Sequence, residues 1–185
     1  IILAGSLPRK VSEDFYATVL GRIRRHRCFM ALDSAGEPLR RGVRGRPNLV
    51  APNLREAEDL VGHEFHDDHD LVDATRIVCE MGARNSIIKT RHGCVARFQV
   101  GRKQRVFRAS VVRLEHVVST VGSGDAFLAG FVSARFRKLD LAECLRYGLA
   151  AGAANTQRYG AGVLDEALAD ELLESAEVEE LSPGS

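Results

Sequence analysis

Residues 119–130 read STVGSGDAFLAG: two glycines flanking a serine, an aspartate directly after them, and an apolar helical run from there on. Glycine lets a backbone approach a ligand closely, and the start of a helix offers N–H groups and the positive end of its dipole to an anion. Gly122, Ser123 and Gly124 can thus present successive N–H groups at a helix start, with Asp125 in the first turn. A carboxylate there can take the proton of an attacking hydroxyl while the N–H groups stabilise charge on a transferring phosphoryl group. That reaction also needs a metal ion. A helix that merely begins with an acidic turn accounts for Gly-x-Gly-Asp as well. A dinucleotide turn does not, because its third glycine would fall at Phe127. The chain has no Gly-Lys-Ser/Thr triplet for a P-loop. Aspartyl proteases that share Gly-x-Gly-Asp need membrane-spanning helices, and no apolar run here approaches the ~18 residues required.

The surrounding pattern supplies elements to hold these residues. IILAG (1–5), CFMALD (28–33), NLVAP (48–52) and NSIIKT (85–90) are short apolar runs bounded by turn residues, as buried strands are. Helical spacing covers about 11–25, 53–62 with its end at Gly62, and 71–81. CVARFQV and RVFRASV flank the polar GRKQ and predict a hairpin, and SAGEP (34–38) reads as an exit loop. From Ser123 onward the chain reads as helices over 124–137, 141–155 and 165–176. Strands alternating with helices predict an α/β sheet covered on both faces. Phe127 and Phe131, one helical turn apart, are expected in the core.

The run from Ser119 to Val132, STVGSGDAFLAGFV, fits the second signature of the ribokinase-like (PfkB) sugar kinases at every defined position. The chain resembles the C-terminal part of that family, in its fructose-1-phosphate and tagatose-6-phosphate kinase branch. The resemblance implies a three-layer α/β/α fold. It also implies transfer of the γ-phosphoryl group of ATP, with Mg²⁺, to a hydroxyl of a hexose phosphate: fructose 1-phosphate, fructose 6-phosphate or tagatose 6-phosphate. Asp125 would be the base, and the backbone of Gly122, Ser123 and Gly124 the anion hole. Residues 1–162 would be the nucleotide-binding part and 163–185 an acidic helix and tail. In relatives the first half of the chain carries much of the sugar surface and a lid that often makes a homodimer interface. A fragment that binds nucleotide without catalysis is therefore the alternative expectation.

The resemblance assigns further residues. Pro52, Asn53 and Glu56 match a Pro-Asn-x-x-Glu element whose glutamate helps hold Mg²⁺; the same pair is an ordinary capping box, and the two roles are compatible. LAGSLPRK resembles a turn near the sugar phosphate, where Gly5 and Ser6 could donate to it. Arg9 and Lys10 depart from the usual residues there and either help neutralise a phosphate or start a solvated helix face. Asp33 matches a family aspartate loosely, with Ala35 intervening; it faces either the active-site crevice or a turn. IIKTRHG stands where relatives touch the nucleotide, but with one glycine instead of two. This leaves Lys89, Thr90 and Gly93 as nucleotide contacts. Asn155, in a small-residue helix resembling the one beside the adenine, either binds the base or caps a helix end.

Bulk composition sets outer limits. The 185 residues are 45% hydrophobic and 28% charged, with formal net charge +1, which gives no overall field for nucleic acid or an acidic membrane. Arginines crowd the first quarter (Arg22, Arg24, Arg25, Arg27, Arg40, Arg41, Arg44, Arg46), and DEALADELLESAEVEE near the end is acidic. These are two solvated faces or, for the arginines, a rim that attracts a phosphorylated substrate. Cys28, Cys79, Cys94 and Cys144 form no C-x-x-C pair and fit reduced thiols in a cytoplasmic protein. GHEFHDDHD (62–70) lacks H-E-x-x-H spacing and reads as a solvated acidic loop; His92 and His116 carry no claim.

Overall fold

The computed structural model describes residues 1–111, 117–160 and 162–182; His116 lies outside them. The chain divides into two compact units, one made of Ile1–Thr90 and Val95–Val106, the other of Arg91–Cys94 and Phe107–Ser185.

The first unit begins with β1 (Ile2–Ala4), α1 (Phe15–Ile23), β2 (Ala31–Asp33), α2 (Gly36–Arg44) and β3 (Leu49–Val50). It continues with α3 (Leu54–Val61), α4 (Asp68–Glu80) and β4 (Ser86–Lys89). The strands stand in chain order and pair in parallel, with Ile2 opposite Ala31, Ala31 opposite Leu49 and Val50 opposite Ser86. Each helix carries the chain back, so the strands share a direction and end at one edge. Successive residues of a strand face opposite sides. Ile87 and Ile88 are nevertheless both buried, as are Ala31 and Leu32, so both faces of the sheet are covered. Tyr16, Leu20, Leu39, Val43, Leu32 and Val50 form the larger core; Ala57, Ala74 and Ile88 form a smaller one.

β5 (Gly93–Val100) and β6 (Lys103–Ser110) make the expected hairpin, turning at Gly101 in the left-handed region. The second unit adds α5 (Ser123–Phe136), α6 (Leu141–Asn155), α7 (Glu166–Ser175) and β7 (Glu177–Leu181), which lies beside β6. α5 and α6 pack at backbone distance: a Cβ on Gly130 would lie 2.5 Å from the Tyr147 carbonyl oxygen and 2.9 Å from Ala151 Cβ. Phe127 fills the space beside Gly148 and Gly152, and it and Phe131 are buried as expected.

Three elements differ from the sequence reading. SAGEP is not wholly an exit loop, because α2 starts at Gly36. Pro38 sits in its first turn, where no N–H is needed, and Leu39 and Val43 bury one stripe. The end of the acidic segment is not a tail but β7, in which Val178 turns inward between exposed Glu177 and Glu179. α4 also starts earlier than expected. Asp67 caps it by accepting from the Asp70 N–H, so Asp68, His69 and Asp70 are helical and not loop. No described helix is long and apolar enough to cross a membrane.

Gly130→Ala should decide between two opposed effects. Helix propensity alone would stabilise α5 by about 1 kcal/mol, whereas the contact with Tyr147 should destabilise by about 1–3 kcal/mol. Denaturant unfolding is expected to show a net loss; a gain would contradict the close packing. The thiols give a second check. None of the four cysteines is in a disulfide, and burial pushes Cys79 and Cys144 up to about 11. Thiolate is the reactive form, so iodoacetamide at pH 8 should modify these two at least about tenfold more slowly in the folded protein than in the unfolded chain. Equal rates would contradict their burial.

Candidate active site

In the first unit the strand ends gather polar groups at one edge. β2 ends at Asp33 and β4 at Lys89, each the last residue of a short apolar strand. Their side chains meet: Lys89 Nζ donates to Asp33 Oδ2 at 2.5 Å, with only 12% and 11% of the two side chains exposed. A charge this deep must be paired to be tolerated. Gly5, at φ 88°, takes the chain out of β1 and donates its N–H to the Asp33 carbonyl. The Gly5 carbonyl accepts from Tyr16 Oη at 2.8 Å and from Ser34 Oγ at 2.9 Å, which pins the turn, while Ser6 beyond it is exposed. Burial raises the Tyr16 phenol above its ordinary value, with the hydrogen bond to Ser34 opposing. Arg9 and Lys10 are exposed and fit a solvated surface.

The Lys89 N–H donates to the Pro52 carbonyl, and Lys89 bridges in parallel to Asn53, so the end of β4 meets the start of α3. Asn53 caps α3 in a reciprocal box: its Oδ1 accepts from the Glu56 N–H at 3.0 Å, and Glu56 Oε2 accepts from the Asn53 N–H at 2.8 Å. The Glu56 carboxylate is thereby oriented through Oε2. Burial holds the Glu56 carboxyl above the usual carboxylate range. The Asn53 N–H pulls it down, the Asp33 charge pushes it up and the Lys89 charge pulls it down. Glu56, Asp33 and Lys89 are therefore one electrostatic group. Lys89 seated on the Asp33 carboxylate, with Glu56 in electrostatic range of both, puts carboxylate oxygens, the donor chemistry Mg²⁺ takes, at this edge.

In the second unit the glycine–aspartate stretch opens α5. Gly122 is its N-cap at φ 81°, a conformation a side chain would strain, and makes no side-chain cap. The first intrahelical bond runs from the Ala126 N–H to the Gly122 carbonyl. The Ser123 N–H and hydroxyl both donate to the Thr120 carbonyl, so Ser123 braces the turn. This leaves the amides of Gly124 and Asp125 without acceptors in the helix and open to an anion. Asp125 is exposed and its carboxylate has no partner among the described residues. Packing around the helix is tight where its start is open: a Cβ on Gly152 would lie 3.1 Å from the Ser123 carbonyl oxygen.

The remaining candidates fall differently. A Cβ on Gly93 would lie 2.0 Å from the Ala109 carbonyl oxygen, so this glycine already has a reason to be there in the approach of β5 to β6. Thr90 is half-buried directly after β4. Asn155 caps nothing. It is fully buried, donates from Nδ2 to the Val163 carbonyl at 3.1 Å, and its Oδ1 has no partner. The arginines do not form a rim at this site. Arg22, Arg24, Arg25 and Arg27 lie in or just after the last turn of α1, and Arg44 and Arg46 in or just after that of α2, at the edge of the first unit's sheet where strands begin. The donor atoms of Asp67, His69 and Asp70 lie within 4.8 Å of one another at the exposed start of α4.

Sequence reasoning treated Asp33 and Lys89 separately and missed their pairing across 56 positions. A signal was present: each ends a short apolar run, and parallel strands deliver such residues to one edge.

Comparison with known proteins places the sequence and the fold. Residues 1–167 match the pfkB family carbohydrate kinases. The chain is 32% identical over 178 residues to a 1-phosphofructokinase of Haemophilus influenzae, covering 96% of this chain and 56% of the relative. It is 30% identical over 181 residues to a D-tagatose-1-phosphate kinase of Klebsiella oxytoca, covering 98% and 58%. The structure superposes on phosphofructokinase-2 from Escherichia coli with a TM-score of 0.82 at 23% identity, covering 94% of this chain and 55% of that one. The chain thus spans about half the length of the curated relatives it matches. With the glycine–aspartate start of α5, the ribokinase-like α/β fold and a family match over most of its residues, the chain belongs to the pfkB family of carbohydrate kinases.

Proposed function

We propose that the chain is the nucleotide-binding part of a kinase that transfers the γ-phosphoryl group of ATP to a hydroxyl of a hexose phosphate. The observation that carries this reading is the start of α5, where an exposed Asp125 carboxylate, without a partner among the described residues, stands beside two amides that have no acceptor in the helix. Asp125 takes the proton of the attacking sugar hydroxyl. The amides of Gly124 and Asp125, at the positive end of the helix, hold charge on the transferring group. Ser123 keeps the turn in shape through Thr120. Glu56, oriented by Asn53, supports Mg²⁺, and Asp33 lies in the same charged group. Bound Mg²⁺ would neutralise phosphate charge. Gly5 and Ser6 are placed at the sugar phosphate, and Lys89, Thr90, Gly93 and Asn155 on the nucleotide side.

Among fructose 1-phosphate, fructose 6-phosphate and tagatose 6-phosphate, the first has the strongest support, because several relatives are named 1-phosphofructokinase. Cysteines outside any disulfide fit a cytoplasmic setting. Homodimerisation belongs to the same reading of the longer protein.

The test is ADP release by this chain with ATP, Mg²⁺ and a panel of hexose phosphates. General-base catalysis is worth about a hundredfold to ten-thousandfold, so Asp125→Asn should cut turnover by that much while leaving the fold intact. A loss below tenfold would remove Asp125 as the base. A folded chain that binds ATP without turnover would instead support the alternative, a nucleotide-binding fragment that needs further chain for catalysis.

A further inference from the structure

The geometry points to Lys89 as a resident cation that occupies the metal seat of the first unit and must leave Asp33 before a divalent ion settles there. This rests on the reading of Glu56 as a metal-supporting carboxylate. Lys89 Nζ lies against Asp33 Oδ2 with both side chains nearly buried, so this carboxylate oxygen already holds a cation. The Lys89 backbone is fixed beside the cap of α3 by its bond to Pro52 and its bridge to Asn53. That keeps the ammonium close enough for its charge, and that of Asp33, to act on Glu56. Glu56 Oε2 is held by the Asn53 N–H, which orients the carboxylate and leaves its other oxygen outside the cap.

Mg²⁺ and related ions take oxygen ligands. An ammonium and a divalent cation against the same carboxylate oxygen repel strongly where water is largely excluded. The two therefore exchange, and metal binding releases Lys89. The released ammonium, on a flexible four-carbon stem, then becomes available to a phosphate group. Phosphate contact by Lys89 and metal support by Glu56 are in this account consecutive: Lys89 cannot serve a phosphate while it serves as the counter-ion of Asp33.

The test measures Mn²⁺ binding to the 185-residue chain by the loss of the free-ion electron paramagnetic resonance signal, without nucleotide or turnover. Lys89→Met should bind Mn²⁺ at least about tenfold more tightly than the unaltered chain. Arg55→Gln, which removes an exposed positive charge next to Glu56 in sequence, should change affinity less than about threefold. Binding by Lys89→Met alone would also support the exchange. Equal affinities in all three proteins, or no binding by any, would overturn it.

A second measurement avoids the variant altogether. Mass spectrometry of the unaltered chain should show Lys89 becoming several-fold more reactive to reductive methylation when Mn²⁺ is bound. Unchanged reactivity with the ion bound would overturn the exchange. Glu56→Gln in the Lys89→Met background separates the two readings: undiminished affinity would remove Glu56 as a ligand while leaving the exchange at Asp33 standing.

Discussion

The first unit is organised around the ion pair of Asp33 and Lys89. Two charges at the ends of buried strands are tolerable only together, so the pair sets the positions of the ends of β2 and β4 relative to each other. Everything polar at that edge is then attached to one partner or the other. The Gly5 turn hangs from the Asp33 carbonyl, and the start of α3 from the Lys89 amide through Pro52. Glu56, locked into the cap of α3, is thereby brought within range of both charges. The parallel sheet does the rest, since strands sharing a direction deliver their last residues to one edge.

The second unit rests on a different constraint, the approach of α5 to α6 at backbone distance. Glycines at 130, 148 and 152 remove the side chains that would hold the helices apart, and Phe127 fills the remaining volume. A helix held this firmly along its length can leave its first turn unoccupied. Gly122 turns the chain into α5 in a left-handed conformation, and Ser123 braces that turn against Thr120. The exposed Asp125 and the two amides are consequently presented by a closely packed helix, which suits the role proposed for them.

The sequence was most legible where spacing or local chemistry carries the signal. The glycine–aspartate start of α5, the capping box at Asn53, the parallel strands and the hairpin can all be read from neighbouring residues. α2 was not, because Gly36 and Pro38 look like loop residues until they are placed in a first turn that needs no N–H. β7 was hidden by its glutamates, which mask a single inward-facing valine. The pairing of Asp33 with Lys89 was out of reach for another reason. It depends on which strand ends become neighbours, and that is a property of the sheet. For Gly93 and Asn155 the structure adds what sequence could not show, a packing role for the glycine and a bond from the amide to Val163, beside the ligand contacts that resemblance suggests.

The central claim is that the start of α5 is where the terminal phosphate of the nucleotide sits. A crystal structure of the chain with Mg²⁺ and a non-hydrolysable ATP analogue tests it most directly. The account predicts terminal phosphate oxygens at about 3 Å from the amide nitrogens of Gly124 and Asp125, the ordinary length of such hydrogen bonds. It also predicts an Asp125 carboxylate that faces the phosphate without binding it. A nucleotide bound with its phosphates away from the first turn of α5 would contradict the account.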